Sequence, residues 1–130
     1  PITTMQLSAG LEVISQQADW VLTEGAGGWF TPLSATLTFA DWVQQEQLPV
    51  ILVVGIKLGC INHALLTAQA IKVAGLPLAG WIANGIQPPG KRHQEYLETL
   101  IRRLDAPLLG EIPHLHGRNF TDVGRFITLP

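Results

Sequence analysis

The sequence predicts an α/β fold, an open parallel sheet with helices on both faces in three layers. Apolar runs recur at residues 19–25, 49–55, 77–84 and 106–113, with helical spacing before and between them. Strand–helix alternation of this kind belongs to parallel sheets covered on both sides. The second run, Val50-Ile-Leu-Val-Val54, is continuous and rich in β-branched residues, as a doubly buried strand reads. Composition agrees. Of 130 residues, 47% are hydrophobic and only 14% charged, against about 25% charged in an ordinary soluble domain.

Met5 to Gln16 reads as a first helix, and the run from Asp19 to Gly25 as the first strand. Phe39, Trp42 and Val43 mark a shorter helix before the second strand. Ile61, Ala64, Leu65, Ala68 and Ile71 fall on one face of a helix that Gly75 and Pro77 can stop. The third strand runs to Asn84, and Pro88-Pro89-Gly90 turns the chain. Tyr96, Leu97, Leu100, Ile101 and Leu104 then share a helix face, with Glu98 and Arg102 expected to pair at i,i+4 on the exposed side. A fourth strand follows over 106–113, and a weak segment lies around Asp122 to Phe126. Trp20, Trp42 and Trp81 are expected in the core; Trp29, in a glycine-rich loop, either covers a ligand or packs. With no repeat, low-complexity tract or interdomain linker, residues 1–130 read as a single partial α/β domain. The chain starts at Pro1 and runs almost at once into a helix, so it reads as part of a longer protein.

Several classes are set aside. A net charge of −2 argues against a broad surface for nucleic acid. One cysteine forms no intrachain disulfide and fits a reducing, cytoplasmic setting. The longest apolar stretch, Leu48 to Ile56, is too short for a membrane span, and nothing resembles a signal peptide. The sequence holds no G-x-x-x-x-G-K-[ST] loop, no nucleophile elbow and no Rossmann glycine set.

In an open α/β sheet the ligand sits beyond the carboxyl ends of the strands. Four stretches are expected there. Glu24-Gly25-Ala26-Gly27-Gly28 offers a carboxylate with small residues that let a phosphate or a metal approach the backbone, or it is a flexible turn. Lys57-Leu-Gly59-Cys60-Ile61-Asn62 opens a helix whose free N–H groups can receive an anion, or it is an ordinary loop with Asn62 near the cap. Cys60 has no visible partner base, so a catalytic thiol is not expected. Asn84 can read a base with its amide, or simply form an Asn-Gly turn. His114-Leu-His116 is a poor metal set, without cysteine or a carboxylate pair; His63 and His93 read as helix-surface residues.

At Trp20-Val-Leu-Thr-Glu-Gly-Ala-Gly-Gly-Trp29, Val50-Ile-Leu-Val-Val-Gly-Ile-Lys-Leu-Gly-Cys-Ile-Asn-His-Ala64 and Leu78-Ala-Gly-Trp-Ile-Ala-Asn84, the sequence closely resembles the dethiobiotin synthetase family. The match keeps one register from the first helix to about Leu115 and covers the C-terminal part of the family's chain. The resemblance implies a P-loop NTPase-like fold and a homodimeric ligase of biotin synthesis using ATP and Mg²⁺. Diaminopelargonic acid takes up CO₂ as a carbamate, ATP activates it, and the second amine closes the ureido ring. By the same resemblance Glu24 matches the Mg²⁺-binding Glu, and Gly25, Ala26 and Gly27 match the loop beside the phosphates. Asn84 matches the residue that bonds adenine, and Pro113, His114 and Leu115 the segment against the base. Gly59, Cys60, Ile61 and Asn62 match the helix start that takes the substrate carboxylate, and Tyr96 a tyrosine reaching the same substrate, both across the dimer interface.

There are departures. The P-loop, the catalytic lysine and a second Mg²⁺-binding carboxylate belong to the part not matched, so no catalytic residue is assigned here and the chain is expected to be inactive alone. Gly85 stands where a polar residue often follows the Asn, and nothing is carried over from Arg118 onward. Two other readings stand beside the enzyme: a non-catalytic remnant serving dimerisation, and a related P-loop amide ligase such as a cobyrinate amidase. The helix start at Lys57–Asn62 favours the synthetase over the amidase.

Overall fold

The computed structural model of the protein describes residues 2–117 and 121–130, and its contacts gather in two units, Pro1–Leu48 and Pro49–Pro130. Pro1 and the start of the divergent tail, Arg118–Phe120, lie outside the described residues.

In the first unit, α1 (Thr4–Ser15) and α2 (Phe39–Gln45) both begin with a capping box. Thr3 Oγ1 accepts from the Gln6 N–H at 3.2 Å while Gln6 Oε1 accepts from the Thr3 N–H at 3.1 Å. Thr38 and Asp41 repeat the exchange, so each helix start satisfies two orphan donors reciprocally. Trp42 is buried; its indole N–H donates to Ser8 Oγ at 3.1 Å, and Ser8 in turn bonds Glu46.

Two of the sequence expectations fail in this unit. Residues 19–24 form no strand, and Trp20 is 55% exposed rather than core. A strand exists through its ladder, and among the described residues this segment has none. Trp20 and Leu22 accordingly remain in solvent, Leu22 the more so, while Val21 is half-buried.

The Thr38 pairing also sets a pH dependence. Backbone and hydroxyl bonds from Thr38 hold the Asp41 carboxyl below its ordinary value. A depressed folded-state value means stabilisation that is present above the unfolded-state value and lost as pH falls through the folded one. The melting temperature of Asp41→Asn should therefore lie below that of the parent at neutral pH, with the gap closing under acid. A gap independent of pH would separate Asp41 from this effect.

The second unit holds the sheet. Strands β1 (Val50–Gly55), β2 (Leu78–Asn84) and β3 (Leu108–Ile112) run parallel in that order, joined by α3 (Cys60–Val73) and α4 (His93–Arg103). The parallel α/β architecture is borne out. Val54, Trp81 and Ala83 from the strands meet Cys60, Ala64, Leu97, Leu100 and Leu104 from the helices and their ends in one core. Ile71, Trp81 and Leu100 are the largest fully buried side chains, each contributing about 1.5–3 kcal/mol by burial. Helix α3 ends as its glycine predicts. Gly75 takes φ +76°, its N–H donates to Lys72 O, and the Leu76 N–H reaches back to Ile71 O, with both apolar side chains buried.

Smaller corrections apply to the helices. Ile101 is 52% exposed, on the edge of the apolar face rather than within it. Glu98 accepts from Gln94 Nε2 at 3.3 Å instead of pairing with Arg102; the i,i+3 pair Arg92–Glu95 at 3.2 Å forms on that helix instead. Both of its side chains are largely exposed, so it adds under about 1 kcal/mol and the buried leucines decide where α4 packs.

The segment around Asp122–Phe126 folds as a 3-10 turn over Val123–Phe126. It leads into an antiparallel bridge between Gly110 and Ile127, with the Thr128 N–H donating to Leu109 O at 2.8 Å. The tail thus covers the outer edge of β3, which would otherwise present unpaired backbone groups.

Candidate functional site

Gly55, Asn84 and Ile112 pair across the sheet in one row, so all three strands end together. The Ile56 N–H donates to Asn84 O at 2.9 Å, and the Gly85 N–H to Ile112 O at 2.8 Å. Just beyond this row the chain from β3 turns back against the chain from β2. A Cβ on Gly85 would stand 2.7 Å from His114 N and 2.9 Å from Ile112 O. His114 Nδ1 lies 3.1 Å from Gly85 O. A carbonyl only accepts, so Nδ1–H is the donor of this bond. The His116 ring stands edge-on to His114, 4.6 Å between centroids.

Asn84, Pro113, His114 and Leu115 are therefore brought together, although they come from separate strand ends. The side-chain amide of Asn84 is half-buried and has no partner among the described residues. It offers a donor and an acceptor side by side, as a base edge requires.

A second group forms at the start of α3. Gly59 is the N-cap, in the left-handed region at φ +89°, and no side chain caps the helix. Asn62 lies near the cap, in the first turn. The Cys60 N–H folds back to Lys57 O, while those of Ile61 and Asn62 find no acceptor among the described residues. Two aligned free donors at a helix start suit a carboxylate. Cys60 is buried, and Ile61 and Tyr96 both pack against the core cluster of which Cys60 is part.

The glycine-rich loop belongs to the first unit. Glu24 is exposed, without an intramolecular partner among the described residues. A Cβ on Gly25 would meet the Phe39 ring at 2.6 Å, and Gly27 and Gly28 take φ +90° and +113°. Ala26 is exposed between them. Glycine is required here by geometry and not only tolerated. No group of three metal-ligating side chains occurs among the described residues. One free carboxylate still fits Mg²⁺, which keeps several waters and takes one or two carboxylates beside substrate phosphates.

The sequence missed a contact at the entry to α4. His93, read as a surface residue, is 19% exposed at its side chain, and its Nε2–H donates to Glu111 Oε1 at 2.7 Å. The available signal was Glu111 itself, a carboxylate inside the apolar run Leu108–Ile112.

A family model described as AAA domain matches residues 3–119. The chain is 73% identical over 115 residues to an ATP-dependent dethiobiotin synthetase of Escherichia coli, covering 88% of this chain and 51% of that one. It is 79% identical over 109 residues to the corresponding synthetase of Salmonella typhimurium, covering 84% and 48%. A third synthetase, of Pseudescherichia vulneris, is 66% identical over 130 residues, covering 99% and 54%. The likeness read from the three motifs is borne out. The chain spans about half the length of the curated relatives it matches.

Proposed function

We propose, from the premise that this chain belongs to the AAA-domain family, that it is the carboxyl-terminal half of an ATP-dependent dethiobiotin synthetase. Its two units are then parts of one α/β domain, and the other half supplies the loop around the β- and γ-phosphates. The observation that carries this reading is the convergence of Asn84 and Gly85 with Pro113–Leu115 at the strand ends. An amide flanked by an apolar segment is a setting for a purine, with Asn84 on its polar edge and Pro113, His114 and Leu115 along its face.

The acid substrate takes the other group. Its carboxylate would accept from the free N–H groups of Ile61 and Asn62, with Gly59 and Cys60 shaping the approach and Tyr96 reaching the bound chain. One amine of diaminopelargonate adds to CO₂, forming a carbamate and releasing a proton. A carbamate oxygen attacks the γ-phosphorus of ATP, and ADP leaves. The second amine attacks the carbamoyl carbon, phosphate leaves, and loss of a proton completes the ring. Binding and orientation are what these residues contribute, because phosphoryl transfer depends on positioning and charge stabilisation. Glu24 is the residue that would hold Mg²⁺, whose charge, once bound, offsets that of the phosphates; Gly25, Ala26 and Gly27 keep the adjoining backbone open to them.

An exposed stripe supports a homodimer. Leu66 and Val73 are 63% and 77% exposed, at helical spacing along the side of α3 that also carries Asn62, and Leu58, just before the helix, is 85% exposed. A second copy laid on this stripe would complete the acid site. The described residues contain no helix long and apolar enough to cross a membrane. A cytoplasmic setting and small-molecule substrates, rather than nucleic acid, complete the reading.

The protein made from its natural gene tests it. Incubated with diaminopelargonate, bicarbonate and MgATP, it should form dethiobiotin and ADP, with an intact mass well above 14.1 kDa and a P-loop in the added residues. A 14.1 kDa product without turnover would overturn the reading in favour of a remnant. In that same enzyme Tyr96→Phe should raise the KM for diaminopelargonate about two- to tenfold, the worth of one hydrogen bond, with the KM for ATP unchanged. An effect confined to ATP would contradict the placement of Tyr96.

A further inference from the structure

We propose that His93 and Glu111 are positioning residues that set the acid-binding and nucleotide-binding elements relative to each other, an inference that rests on the functional reading above. His93 is the first residue of α4, and Tyr96 lies one turn on. Glu111 pairs with Ala83 in the sheet, one row before Asn84 and Ile112, and two residues before Pro113. The bond between His93 Nε2 and Glu111 Oε1, at 2.7 Å, therefore joins the turn that carries Tyr96 to the strand end that delivers Pro113–Leu115.

Two features make this bond more than an incidental surface contact. Helix α4 has no side-chain cap: its N-cap residue, Arg92, makes no capping bond. Among the described residues, His93 is the side chain in the first turn of α4 whose hydrogen bond reaches outside the helix and its approach. Glu111 in turn sits on an exposed position of β3, and its carboxylate bonds the half-buried imidazole across 18 residues of chain. The imidazole supplies a charge-assisted or neutral N–H donor at short range, with 19% of the His93 side chain and 41% of the Glu111 side chain exposed. Because both ends are anchored in regular structure, shortening or losing the bond would shift Tyr96 and the 113–115 segment together.

Steady-state kinetics on the protein from its natural gene tests the tether. His93→Ala and Glu111→Ala should each raise the KM for diaminopelargonate and for ATP, by about tenfold, with kcat falling less. The double variant should be no worse than either single one, and Glu111→Gln, which keeps an acceptor, should restore most of the loss. Additive single effects, an unchanged KM, or an effect on one substrate alone would overturn the proposal. If the parent enzyme forms no dethiobiotin, the functional reading falls and hydrogen exchange decides the tether. In His93→Ala the Tyr96 and Gly85 amides, which donate to Arg92 O and Ile112 O, should then both exchange faster. Unaltered exchange at either amide would overturn the tether.

Discussion

Glu24→Gln should reduce dethiobiotin formation by about a hundredfold or more while leaving the melting temperature unchanged. The reasoning separates two roles that a carboxylate can have. A structural glutamate has partners, and its removal costs stability; Glu24 is exposed and has none among the described residues. The amide has the same shape, so the loop, with Gly27 and Gly28 at positive φ, keeps its backbone. What disappears is one negative charge where a divalent cation would meet the phosphates. The loss should be partly overcome by raising Mg²⁺, because a weakened site fills at higher concentration. Turnover and Mg²⁺ dependence both equal to the parent would remove Glu24 from the phosphate site.

Legibility followed the range of the interactions. β1, α3, β2 and α4 are determined by local pattern and by the covering of apolar side chains within about thirty residues, the scale of a βαβ unit, and their bounds are close to those read from sequence. The segment at residues 19–24 holds a strand-like apolar run, Trp20-Val-Leu22, but has no strand beside it, and local pattern cannot supply a ladder. Trp20 fails for that reason: a side chain is core only where something covers it. The site divides in the same way. The α3 start was legible because Gly59 and the helix pattern are adjacent in sequence. The approach of His114 to Gly85 joins residues far apart in the chain that the parallel register of β2 and β3 brings together, and that of His93 to Glu111 depends on how α4 packs beside β3.

Gly85→Ala should weaken ATP binding and lower the melting temperature together, and the size of the effect follows from what surrounds the missing Cβ. In an unfolded chain an added methyl group reduces entropy and favours folding by about 0.4–1 kcal/mol. Against this stands a Cβ at 2.7 Å from His114 N, 2.9 Å from Ile112 O and 3.0 Å from Pro113 C. All three are backbone atoms, so no side chain can rotate away. Ile112 O is also the acceptor of the Gly85 N–H, which ties the clash to the bond that closes the turn. Overpacking of this kind costs about 1–3 kcal/mol, so the clash wins. Relief requires β3 and its following segment to move from β2, which separates Asn84 from Pro113–Leu115. Gly59 is the useful contrast, since a Cβ there meets open space and only the φ of +89° opposes it. Gly59→Ala should therefore affect the acid substrate and spare ATP, whereas Gly85→Ala should raise the KM for ATP several-fold. A normal KM for ATP in Gly85→Ala would mean that the Asn84 turn and the 113–115 segment do not form the base site.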